Sequence, residues 1–188
     1  MSDGSLWVGD KVRLRAVRQD DWPYYVEFDE DSLGARNVSF INPPKSRETH
    51  KKETEELSTR TSECACFALA IENLDGGEMV GGISTSQCDA RAGSFKYGLA
   101  VRSRSRRRGY GGDAARIILG YMFRERRFHK CTVEIYDFNS ASIEFHEGLG
   151  FSHEGRLREQ TFAHGRYCDV VVMGLIADEF LRTAAQTV

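Results

Sequence analysis

The sequence predicts an α/β (α+β) fold: one domain on a mixed, mostly antiparallel sheet of six to seven strands, with helices on both faces. Three observations predict it. Short apolar or alternating runs succeed one another across turn residues, the signature of meandering antiparallel strands. One strand-like run, 95–101, is joined to the next, 131–136, through a helical pattern, which calls for one parallel crossover. Finally, 188 residues with 40% hydrophobic and 29% charged content suit one globular domain with its own core. No repeat or linker interrupts them, so the expected domain is 1–188.

Lys11-Val12-Arg13-Leu14-Arg15 alternates with period two and reads as the first strand. Asp20-Asp21-Trp22-Pro23 reads as a helix start, acidic with proline in the first turn, and Tyr24 to Phe28 continue it. Asn42-Pro43-Pro44 breaks the chain, and Ser46 caps a charged helix running to about Thr59. Strands over 67–71 and 79–84 flank a turn at Asp75-Gly76-Gly77. Phe95 to Val101 is the fourth strand. The following helix carries Ala114, Ile117, Ile118, Tyr121 and Met122 at helical spacing. Cys131 to Tyr136 is the fifth strand, and Asn139 to Leu149 is a short helix ending at Gly150, a left-handed cap position. Phe151 opens a sixth strand, Ala163 to Arg166 is a turn, Tyr167 to Leu175 is the last strand, and 177–185 is a terminal helix or tail.

A formal net charge of −2 excludes a polycation, so attraction to anions must be local. No apolar run approaches the ~20 residues that span a bilayer, and Met1 to Ser5 lacks the basic and apolar segments of a secretory signal, so a cytoplasmic protein is expected. The five cysteines, Cys64, Cys66, Cys88, Cys131 and Cys168, include no Cys-x-x-Cys, and the five histidines no His-x-x-x-His. Reduced thiols and no metal are expected.

The most informative stretch is Arg106-Arg107-Arg108-Gly109-Tyr110-Gly111-Gly112, set between a strand and a helix. Glycines let backbone N–H groups crowd together, and a helix start adds unpaired N–H groups and a partial positive charge. Such a loop binds phosphate or pyrophosphate. It is neither Gly-x-Gly-x-x-Gly nor a P-loop, since no Gly-Lys-Ser/Thr follows. It does fit Arg/Gln-x-x-Gly-x-Gly/Ala through Arg106, Gly109 and Gly111. The wider run from Arg102 to Arg108 also has the composition of a nucleic-acid segment, but its place between two elements and the overall negative charge weigh against that.

With this loop the chain resembles the GNAT superfamily of acetyl-CoA-dependent N-acetyltransferases. Asn139 to Phe151 is similar to the superfamily's Asn-x-x-Ser/Ala…Gly-Phe helix. Glu154 to Glu159, Phe162, Gly165-Arg166-Tyr167, Asp169-Val170 and Met173 resemble the spermidine N-acetyltransferase and ribosomal-protein N-terminal acetyltransferase (RimJ/RimL type) branch. The resemblance covers nearly everything from Phe95 on and implies an acetyl-CoA-binding core at about 95–151. It implies a sheet splayed at strands 4 and 5, with the pantetheine arm bonded to the backbone of Leu99, Ala100 and Val101. Acetyl-CoA is the implied co-substrate. Its pyrophosphate falls to the backbone and side chains of Arg106, Arg107, Arg108, Gly109, Tyr110, Gly111 and Gly112, with Arg102 and Arg104 as further phosphate partners. Asn139 is implied to hold the pantetheine or a water beside it.

The chemistry needs a neutral amine, although a lysine-type amine has an unperturbed pKa of about 10.4. It also needs a stabilised oxyanion, for which an amide near Leu99 is implied, and a protonated leaving thiolate. Many relatives use a tyrosine seven residues after the motif asparagine as that acid; here the position is His146. An imidazolium would protonate the thiolate, a neutral imidazole would take the amine proton, and a third reading leaves the ring as a helix cap or surface group. Glu134, on the fifth strand, is a base candidate or an exposed strand carboxylate. Asp137 ranks below it, and Tyr97 reads as a core aromatic. Asp29-Glu30-Asp31 is a solvated helix end or an attractor for a cationic substrate.

The expected function is acetyl transfer to a primary amine by direct attack in a ternary complex. The acceptor is a protein N-terminus, a polyamine or another small amine. The alternative is a CoA-binding regulatory or ribosome-associated module with little catalysis. The expected partners are the small-molecule or peptide amine and, as one allowed assembly, further copies of the chain; neither membrane nor nucleic acid is expected.

Overall fold

The computed structural model describes residues 4–37, 41–60 and 65–185. Cys64 and the first three residues lie outside them. The described strands form a seven-stranded sheet of order β1-β2-β3-β4-β5-β7-β6, with β1 Val12–Arg15, β2 Ala68–Asn73, β3 Met79–Asp89, β4 Ser94–Val101, β5 Lys130–Tyr136, β6 Ser152–Ala163 and β7 Arg166–Ile176. The chain divides into two compact units, residues 1–85 with 98–118 and residues 86–97 with 119–188. Both β3 and β4 continue from one unit into the other.

In the first unit β1 and β2 are antiparallel from Val12↔Asn73 to Arg15↔Ala70, and β2 pairs antiparallel with β3. The period-two reading of β1 holds: Val12 and Leu14 are buried, while Arg13 and Arg15 point to the other face. There they meet Glu72, a carboxylate only 1% exposed. Burial alone would raise its pKa, but bonds from Arg15 and Arg13 hold it below the usual carboxylate value. Arg15 also forks onto Asp21 with two 2.8 Å contacts. Trp22–Glu30 is α1, with Pro23 in its first turn, and Ser32–Arg36 is α2, a short helix that the sequence reading missed. Its cap is Asp31, whose side chain accepts from Gly34 N–H at 3.0 Å. Arg47–Thr59 is α3, capped by Ser46 through Thr49 N–H at 3.1 Å, as the sequence predicts. Val17, Tyr24, Ala70 and Met79 pack together, with Tyr25 and Leu57 against them.

In the second unit the start of β4 runs parallel to β5 for three pairs, Ser94↔Lys130 to Lys96↔Thr132. This is the predicted crossover. Next, β5 is antiparallel to β7 along its whole length, and β7 to β6. The helix α4, Tyr110–Gly120, runs into a wider π turn at Tyr121–Glu125 that the periodicity did not foresee. Phe95 packs edge-on against Phe123 and Phe128, and Phe123 meets Phe180 of α6, Ala177–Ala185. Ser140–Gly148 is α5, after which Gly150 adopts the expected left-handed conformation at φ +95. The thiols of Cys131 and Cys168 are buried, and burial pushes Cys131 up. Among the described residues no helix is long and apolar enough to cross a membrane.

Candidate active site

The first unit carries the glycine loop. Arg102 N–H donates to Val80 C=O at 2.9 Å on β3. Backbone groups alternate sides along a strand, so Leu99 and Val101 turn theirs to the edge away from β3. Ala100 differs from its neighbours. Its carbonyl accepts from the Tyr24 hydroxyl at 3.3 Å, and a Cβ on Gly81 of β3 would stand 2.6 Å from it. The three-residue stretch proposed for pantetheine therefore offers its outer edge at Leu99 and Val101, and at Ala100 faces inward.

Past Val101 a tight turn at Ser103–Ser105 leads into the loop, where Arg107 (φ 61) and Gly109 (φ 85) are both left-handed. The structure gives α4 a first bond from Asp113 N–H to Gly109 C=O at 3.1 Å. The amides of Tyr110, Gly111 and Gly112 belong to the first turn, where a helix offers no internal acceptor. Two of these residues are glycines, half-buried beside the buried Tyr110, so no side chain of their own covers the positive end of the helix. That is the geometry of an anion site.

The arginine run divides. Arg102 is bound by Glu78 at 2.7 Å and Glu27 at 3.2 Å and lies over the Tyr24 ring. Arg104 pairs with the same two carboxylates. Arg106 faces Asp31 at 3.6 Å and donates through Nε to Val101 C=O at 3.2 Å. Arg107 and Arg108 are exposed and, among the described residues, have no carboxylate partner. The cluster read as a solvated helix end is thus engaged: Asp31 caps α2 and holds Arg106 and Ser103, while Asp29 lies 3.7 Å from Lys45 and from His50.

Sequence reasoning missed the residue that fixes this helix start. Asp113 is nearly buried, and its carboxylate accepts from the amides of Asp10 at 3.3 Å, Lys11 at 2.7 Å and Val12 at 2.9 Å. Gly9 is glycine for the same reason, since a Cβ there would lie 2.4 Å from the Asp113 carboxylate. The local signal was an acid in the first helical turn, which alone reads as dipole complementation. Its partners lie a hundred residues away.

The second unit carries the helix motif. Asn139 is the cap of α5, and its side chain accepts from Ser142 N–H at 3.2 Å. His146 is buried, its ring among Tyr97, Phe145 and Phe151. His146 Nδ1 lies 2.7 Å from the Ser142 carbonyl oxygen. A carbonyl only accepts, so Nδ1 carries the proton and Nε2 holds a lone pair. Burial pushes the imidazole below its ordinary pKa of 6.5, against a smaller opposing effect of the Ser142 bond. The ring is thus neutral at pH 7, which suits a proton acceptor better than an imidazolium acid and excludes the surface reading.

Glu134 is exposed on β5 and ion-paired to Lys96. Asp137 is bound by Arg156 at 3.1 Å. Tyr97 is a core aromatic as read, but its hydroxyl is buried without a hydrogen-bond partner among the described residues, and burial pushes its pKa well above the ordinary value.

Residues 11–152 match the model of the acetyltransferase (GNAT) domain. The chain is 32% identical over 176 residues, 94% of its length and 96% of the relative's, to the SPbeta prophage-derived uncharacterized N-acetyltransferase YokL of Bacillus subtilis strain 168. It is 26% identical to a Vibrio cholerae spermidine N(1)-acetyltransferase over 88 residues, 47% of this chain and 51% of that one. The fold is similar to the crystal structure of the Vibrio cholerae spermidine N-acetyltransferase in complex with CoA and spermine, with a TM-score of 0.78 over 90% of this chain and 98% of the other at 19% identity. The chain belongs to the GNAT acetyltransferase family.

Proposed function

We propose that this acetyl-CoA-dependent N-acetyltransferase binds the phosphates of its co-substrate at residues 106–112 and delivers the acetyl group to a primary amine of a polyamine or another small molecule. The observation that carries the reading is the glycine-bearing start of α4 behind a left-handed loop, with Arg107 and Arg108 exposed and, among the described residues, paired with no carboxylate. The outward backbone of Leu99 and Val101 would bond the pantetheine arm, and an amide there would steady the oxyanion. Asn139, read as a cofactor contact, sits at the cap of α5 in the second unit. Loss of a proton from the ammonium must precede attack, and His146 Nε2, the one bare basic nitrogen of that ring, would receive it. Glu134 is the second acceptor, once Lys96 releases it. The polyamine preference draws support from the Vibrio cholerae spermidine N-acetyltransferase crystallised with CoA and spermine, and a dodecameric structure of such an enzyme supports an assembly of identical subunits. A cytoplasmic enzyme of one domain, assembled from identical subunits, fits the same reading.

The test is release of free thiol from acetyl-CoA in the presence of spermidine, spermine, an aminoglycoside and short peptides. Amine-dependent release is the expected result, fastest with a polyamine. Tight CoA binding without release for any amine would overturn the catalytic reading and leave a CoA-binding module.

A further inference from the structure

Lys11 was read from the sequence only as the first residue of a strand, yet it comes to the glycine loop. Its Nζ donates to the Arg108 carbonyl oxygen at 3.0 Å. Nζ also stands where a side chain of residue 109 would begin: a Cβ on Gly109 would be 2.9 Å from it. Gly109 lacks a side chain because of its φ of +85, and the ammonium lies directly beside it.

We propose that the Lys11 ammonium is a phosphate-binding group of the cofactor loop, held in place by Asp113. The inference rests on the reading that coenzyme A binds there. An ammonium has three N–H donors, and the Arg108 carbonyl takes one. Among the described residues no carboxylate pairs with Lys11, whose side chain is exposed. Asp113 directs its carboxylate to three main-chain amides, including that of Lys11 itself at 2.7 Å. This arrangement fixes the backbone of residue 11 against the start of α4 and leaves its positive charge unspent at the loop. A compact cation on a flexible stem suits a phosphate oxygen as a point-charge contact. The recipient is either the pyrophosphate or the ribose phosphate of coenzyme A.

The experiment is titration of the whole protein with CoA and with dephospho-CoA, which lacks the ribose 3′-phosphate, at several salt concentrations. It compares wild type, Lys11→Met and Lys11→Arg. For Lys11→Met we expect CoA to bind about ten-fold more weakly, the loss of one charge-assisted hydrogen bond, with a shallower dependence on salt. Lys11→Arg should recover most of the affinity. If the deficit persists with dephospho-CoA, the contact is to the pyrophosphate; if it disappears, the contact is to the ribose phosphate. Unchanged affinity in Lys11→Met overturns the proposal. So does a weakened but equally salt-dependent variant with a lowered melting temperature, which would mark Lys11 as a structural latch. Wild type that fails to bind CoA would instead overturn the reading of the loop itself, and the inference with it.

Discussion

The segment from Gly98 to Gly112, the end of β4 through the start of α4, and the helix from Ser140 to Gly148 handle their polar groups in opposite ways. In the loop the structural demands are met by the backbone and by residues around it. Asp113 ties the helix start to the strand segment before β1, and carboxylates hold Arg102, Arg104 and Arg106. The first-turn amides have no acceptor within the helix, and among the described residues Arg107 and Arg108 pair with no carboxylate. In the helix the side chains with chemical potential already serve the fold. Asn139 caps it, and His146 is tied through Nδ1 to Ser142. What remains there is one imidazole lone pair and the Tyr97 hydroxyl, which has no hydrogen-bond partner among the described residues. A binding site made from main-chain groups tolerates this division easily. Catalytic groups that also hold a helix together do not, so function and stability should separate in the first region and coincide in the second.

The sharpest way to break that contrast is at the loop's own support. Asp113→Ala strips three main-chain amides of their acceptor and should cost about 3 kcal/mol of stability, seen as a lower urea midpoint, besides weakening CoA. A loss below 1 kcal/mol would mean that water replaces the carboxylate and that the helix start is not anchored there. Next, Gly111→Asp places a side chain and a negative charge at the first turn of α4. The apparent KM for acetyl-CoA should rise on the order of fifty-fold, with melting temperature nearly unchanged. Equal loss of stability would erase the distinction between the two regions.

In the second region the effects are smaller and mixed. Asn139→Ala removes a helix cap and should cost about 1 kcal/mol together with activity, whereas a change in KM alone would assign Asn139 to the ligand. For His146 the expected signature is pH dependence. Its folded pKa is lowered, so the unfolded chain takes up the proton first on acidification. Stability is therefore complete above pH 6.5 and declines as pH falls through the folded value. Denaturant midpoints from pH 7.5 to 5 should fall less steeply in His146→Gln than in wild type. If His146 accepts the amine proton, the acidic limb of kcat/KM should also shift in that variant. Glu134→Gln should change kcat least, within about three-fold, because its carboxylate is already spent on Lys96 and such exposed pairs contribute little.

How much was legible follows from the range of each interaction. The Ser46 cap, the Gly150 left-handed turn and the alternation of β1 depend on residues within a few positions, and the sequence pattern predicts all three. That residues 102–109 connect a strand to a helix was legible for the same reason, whereas the Asp113 carboxylate that anchors the helix start to Asp10, Lys11 and Val12 was not. The short α2 was not legible, since its cap Asp31 sits in an acidic run that reads equally well as a helix end. Nor was the π turn, where the apolar spacing fits an ordinary helix until Phe123 and Phe128 both pack against Phe95.

The sequence by itself determined the order of the strands, the single parallel crossover and the place of the glycine loop between β4 and α4, because local backbone preference and hydrophobic period specify them. Tertiary structure alone decided which polar groups stay available. Whether an arginine is claimed by Glu78, whether Lys11 reaches Gly109, and whether His146 is neutral all depend on partners distant in the chain or on burial. Those quantities are electrostatic, and they are set only once the chain has brought the charges together and excluded water around them.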